Sequence, residues 1–140
     1  MSPKQLDNLA KIGKLKLEPP ARGEFVGLLR SAKVRLKDCQ QKTLSIDSAF
    51  DLAYNAAHSF ALAALRWHGF RSENRYLVFQ CLEHTLGISP ESWRVLDDAH
   101  RKRNIAEYEG ELDVNEALLD ALIRAAQDLE TRVGELRLPD

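Results

Sequence analysis

The chain has 140 residues, 44% of them hydrophobic and 29% charged, with a formal net charge of −1, which fits one globular domain, residues 1–140, with a real core. No apolar run approaches the roughly 18 residues that a membrane span needs, and the opening stretch MSPKQLDNLAKIGKLK lacks the apolar segment of a signal peptide. Cys39 and Cys81 belong to no CxxC pair, which argues against a disulfide framework or a zinc site. The expectation is a cytoplasmic protein with reduced, buried thiols and no metal or cofactor.

Charge is unevenly spread. Residues 1–42 hold ten Lys/Arg against four Asp/Glu, whereas residues 109–140 hold three against nine. A basic segment of this kind can mark a nucleic-acid face. Its cations, however, are scattered without the aromatic interleaving of single-strand binders, and two ends packed together or two solvated faces explain the asymmetry equally.

In chain order, Ser2-Pro3 reads as a helix start, and Leu6, Leu9 and Ile12 give a short amphipathic helix that Gly13 weakens. Glu18-Pro19-Pro20 then breaks the chain, so residues 1–20 form a short helix and linker ahead of a bundle core at 21–138. From Ala21 to Lys42, Phe25, Leu28, Leu29, Ala32 and Leu36 recur at helical spacing. Ser45 is a fitting N-cap for the next helix, Ile46 to His68, whose Phe50, Ala53, Tyr54, Ala57, Ala61, Ala64 and Leu65 form a broad, Ala-rich seam. Ser72 opens an apolar helix that ends by Gly87. Ser89-Pro90 launches another that ends near Gly110. Asp113 with Glu116 has capping-box spacing, and Leu118, Leu122, Ala125, Leu129, Val133 and Leu136 make a final amphipathic helix. No segment shows convincing strand alternation. The fold class is therefore all-α, an antiparallel up-and-down helical bundle.

The unusual stretch is Trp93 to Gly110, WRVLDDAHRKRNIAEYEG. At about 100° per residue, Trp93, Leu96, His100, Arg103, Asn104 and Glu107 share one arc, with Tyr108 at its edge. The opposite side, Ala99, Lys102 and Ala106, offers little apolar surface. The polar residues are therefore expected to point inward or into an interface, where desolvated charges must be paired or used.

An Ala-rich long helix, a shorter apolar helix, a helix bearing Arg103-Asn104-Ile105-Ala106-Glu107-Tyr108 and a last amphipathic helix together resemble the HEPN family over about residues 21–136. The resemblance implies a four- or five-helix bundle, a two-fold homodimer whose motif helices share a cleft, and kinship with prokaryotic toxin–antitoxin and defence systems, many of whose members are metal-independent endoribonucleases. Arg103 matches the motif Arg and Asn104 the polar residue after it; a guanidinium fork suits phosphate oxygens.

Tyr108 stands where the family's His is expected, and a phenol with a pKa of about 10 is a poor general base at neutral pH. That argues against cleavage, although His100 lies on the same face one turn before Asn104. The candidate catalytic set is thus His100, Arg103 and Tyr108, and the candidate phosphate- or nucleotide-binding set is Arg101, Arg103, Asn104 and Glu107. The leading expectation is binding of RNA or nucleotide phosphate. The alternative is a non-catalytic module that docks an antitoxin or a nucleotidyltransferase, which in some relatives modifies a motif tyrosine. A third reading needs no ligand: Arg101, Arg103, Glu107 and Asp97 or Asp98 form ion pairs within and between helices, with Asn104 and Tyr108 hydrogen-bonded across a dimer interface. His58, His68 and His84 lack metal-ligand spacing and read as packing or surface residues.

Overall fold

A computed structural model describes residues 3–140, so the Ser2 half of the expected Ser-Pro start lies outside the described residues. The helices are α1 (Lys4–Lys11), α2 (Arg22–Asp38), α3 (Ile46–Trp67), α4 (Arg75–Gln80), α5 (Leu82–Thr85), α6 (Pro90–Glu109) and α7 (Glu116–Gly134), with two-residue strands β1 (Lys16–Leu17) and β2 (Phe70–Arg71). The molecule is an all-α helical bundle. No helix among the described residues is long and apolar enough to cross a membrane.

Helix α3 is the axis of the bundle. Twelve of its 22 residues are buried, because alanines at 49, 53, 56, 57, 61, 63 and 64 leave room for neighbours on several sides. Helices α2, α4, α6 and α7 all pack against it. Arg66 at the end of α3 reaches Glu24 at the start of α2, so these two run antiparallel. The Trp67 indole donates to the Arg137 carbonyl just past α7, placing α7 parallel to α3. Arg132 near the end of α7 donates to the Leu86 carbonyl ahead of α6, so α6 runs opposite to α7. The order α2, α3, α6, α7 is thus up-down-up-down, with α4 and α5 inserted between α3 and α6. The ends of the chain meet where α2 packs on α7, but no ion pair among the described residues joins 3–42 to 109–140, so most of the basic and acidic side chains there are solvated.

Local chemistry explains the boundaries. Ser45, Asn74, Ser89 and Asn115 each accept a hydrogen bond from the backbone N–H three residues on, capping α3, α4, α6 and α7. Pro90 occupies the first turn of α6, and Gly110 ends it at φ 73°, a left-handed conformation that suits glycine.

Four sequence expectations need correction. Asn74, not Ser72, caps the helix after α3, and the Ser72 hydroxyl instead accepts from the Asn74 N–H. That helix is also two pieces, divided at Cys81. Asn115 replaces the Asp113–Glu116 box at α7, leaving Asp113 paired with Lys102. Lys16 and Leu17 pair antiparallel with Arg71 and Phe70, a ladder too short for alternation to reveal. In addition, Ala99 is fully buried beside Leu96, so the side of α6 that looked too poor to pack does pack.

A cluster invisible in the sequence holds the N-terminal arm down. Arg66, 2% exposed, donates to Glu24 Oε1 at 2.6 Å and to the carbonyls of Glu18 and Pro19, each at 2.8 Å. Arg71 joins from β2, pairing with both Glu18 and Glu24. Hydrogen bonding from Arg71 holds the Glu18 carboxyl below its ordinary pKa. For Glu24, burial pushes upward, but the hydrogen bonds from Arg66 and Arg71 outweigh it and the net shift is down.

Candidate functional site

The polar arc of α6 meets the middle of the bundle at Tyr54. This tyrosine lies on the seam of α3 among alanines and is fully buried. Its hydroxyl is 2.9 Å from His100 Nδ1, and the other ring nitrogen of His100 is 3.1 Å from Asn104 Nδ2. With the Asn104 amide donating to Nε2, the neutral imidazole carries its proton on Nδ1 and donates it to the Tyr54 oxygen. Both hydrogen bonds fix the ring, and Tyr76 and Phe79 of α4 pack beside it with centroids at 5.2 and 6.3 Å.

Two guanidinium groups converge on the same tyrosine. Arg103, one helical turn beyond Ala99 on α6, sits 4.8 Å from the Tyr54 ring centroid, and Arg75, the first residue of α4, sits 5.6 Å away. Such cation–π contacts hold the cations over the ring face. Arg103 also pairs with Glu107 at 3.0 Å. Arg75 donates to Asn55 Oδ1 at 2.9 Å and, among the described residues, has no carboxylate within ion-pair distance.

The titratable groups respond to this setting. Burial first, and then the Arg103 charge, hold His100 below its ordinary pKa. Burial and the charges of Arg75, Arg103 and His100 push His58 down to about 4. Burial raises the Tyr54 phenol, while both arginines pull the other way. At neutral pH the site therefore contains two cations, one of them paired with the Glu107 carboxylate, together with neutral imidazoles and a neutral phenol. That composition suits an anion with several oxygens.

Of the residues singled out in the sequence, His100, Arg103 and Asn104 come together here, and Glu107 stands at the rim as the partner of Arg103. Arg101 does not join them: its side chain is 70% exposed and pairs along the helix with Asp97. Tyr108 also stands apart, 89% exposed on the outer side of α6, instead of lining the same cleft. Tyr54, Asn55, His58 and Arg75 were missed. The available signal was a Tyr and a His four residues apart inside an otherwise Ala-rich seam, which places both on one helix face. Nothing local marks Arg75. His68 and His84 lie away from the cluster, and no group of His, Cys, Asp and Glu among the described residues is arranged to hold a metal.

A scan against protein-family models, a search of curated proteins and a search of solved structures each returned no match.

Proposed function

We propose that the chain is a HEPN-like protein that binds the phosphate of RNA or a nucleotide, as a component of a prokaryotic toxin–antitoxin or defence-type system. The observation that carries this reading is the convergence of Arg75 and Arg103 over Tyr54. Arg75 is held by a neutral amide, so its charge is free to meet an anion. The half-buried setting keeps the charges from being fully screened by solvent. His100, held by Tyr54 and Asn104 through both ring nitrogens, keeps the Tyr54 ring and the amide in place at the edge of the same patch.

The reading favours binding over cleavage. Both nitrogens of His100 are engaged by Tyr54 and Asn104, and the exposed Tyr108 does not reach them. The test is equilibrium binding of a short single-stranded RNA and of inorganic tripolyphosphate to wild type, Arg75→Gln and Arg103→Gln. Each variant is expected to weaken both ligands by about tenfold, in line with loss of one charge-assisted contact worth roughly 1.5 kcal/mol. Unchanged affinity in both variants would remove the reading. Cleavage of the RNA in EDTA, abolished by His100→Ala, would replace binding with catalysis.

The docking alternative has its own observation. Ile105 and Tyr108, 48% and 89% exposed, form an apolar strip on the outer face of α6. Such a strip supports a homodimer or a nucleotidyltransferase partner for which Tyr108 is the modified residue. Mass spectrometry after co-expression with the neighbouring gene product tests it: unmodified Tyr108 and no co-purification count against that partner.

A further inference from the structure

A cavity of about 610 Å³ opens between α1, the α4–α5 segment and the first turn of α6. Its lining includes Leu9, Leu77, Ile88 and the Trp93 ring, with Gln80, Glu83 and His84 as the long polar side chains. Ligand pockets typically run from about 300 to 1,000 Å³, apolar with a few placed polar groups, and this cavity has both properties.

A row of aromatic rings joins the cavity to the cations. Trp93 lies 5.8 Å from Tyr76, and Tyr76 lies 5.2 Å from His100. Trp93 precedes Arg103 by ten residues on α6, about 15 Å along the axis, a span close to the full length of an extended nucleoside triphosphate. Arg75 and Tyr76 are neighbours in sequence, so α4 offers a cation toward α3 and an aromatic ring toward α6.

We propose that this cavity is a nucleobase subsite. The base stacks on Trp93, its edge meets Gln80 and His84, and its phosphates pass Tyr76 to Arg75 and Arg103. The inference rests on the phosphate reading and narrows it, because it requires a base as well as an anion. An indole face accepts any base, and the Gln80 amide offers both a donor and an acceptor to the base edge.

The test is calorimetric titration of the full chain with ATP, GTP, CTP, UTP and, as the base-free control, inorganic tripolyphosphate. At least one nucleotide is expected to bind ten times more tightly than the control or better. Trp93→Leu should bring the two near parity and Gln80→Ala should reduce the advantage several-fold, both leaving tripolyphosphate affinity unchanged. Gln80 is exposed, so its variant decides the matter if Trp93→Leu does not fold. Tripolyphosphate binding with no nucleotide preferred, or a preference that survives in the folded variants, overturns the subsite and leaves the phosphate reading standing. Binding of neither kind of probe overturns both.

Discussion

Replacing Arg66 by Met removes a guanidinium while keeping the bulk of its stem in the core. In the native chain that guanidinium contacts two carboxylates and the carbonyls of Glu18 and Pro19 from a position only 2% exposed. Breaking a buried pair by deleting one partner costs about 3–5 kcal/mol. The Glu18 and Glu24 side chains are each 32% exposed, so water takes over part of their solvation and the expected loss is at the low end, about 3 kcal/mol. For a chain of this size that corresponds to a fall in Tm of roughly 10 °C. Urea denaturation followed by circular dichroism measures it directly. A loss below about 1 kcal/mol, the range of exposed pairs, would refute the reasoning. The pH dependence provides a second check. Both carboxyls are held below their ordinary value of 4.5, so the stability they contribute is complete above that pH and disappears as pH falls through their folded values. Acid destabilisation should be shallower in Arg66→Met than in wild type.

Two further outcomes follow from the buried groups. His100 should titrate in NMR below its ordinary 6.5, because burial and then Arg103 disfavour its charged form; its neutral ring supports the fold above pH 6.5, and that support is lost as pH falls through the folded value. In Arg103→Gln the midpoint should rise, and an unchanged midpoint would show that Arg103 does not act on the ring. Burial pushes the thiols of Cys39 and Cys81 each up to about 11, so both should react with a disulfide reagent at pH 8 far more slowly in the native state than in denaturant. Rapid native modification of either would contradict the packing around it.

The main helices could be read because their signals are local. Ser45 and Ser89-Pro90 mark where α3 and α6 begin, and the Ala-rich seam already identifies α3 as the element others approach. The reading failed where two local signals competed or where the partner is distant in sequence. Ser72 and Asn74 are both good caps, and only the geometry after β2 decides between them. Arg66 looks like an ordinary basic residue in the last turn of a helix; its burial depends on Glu18 and Glu24, more than 40 positions earlier. The candidate site shows the same division. His100, Arg103 and Asn104 sit on one helix and were found by rotation alone. Arg75 and Tyr54 come from other helices, and no periodicity links them to α6. The spacing puts Tyr108 with the motif, but at the edge of the arc a few tens of degrees separate a cleft from open solvent.

The N-terminal arm is tied to the bundle at two places, the β1–β2 ladder and the Arg66 cluster, and α1 then supplies Leu9 to the wall of the cavity beside Trp93. That hollow is therefore not a property of the four long helices alone. Its Leu9 wall is in place only while a segment with few helical turns of its own stays docked, and such segments can open at a lower free energy than the whole fold. Any molecule that fills the hollow has to gain enough from doing so to keep the arm closed, and by mass action its binding would protect the amides of residues 4–18 from exchange before those of α3.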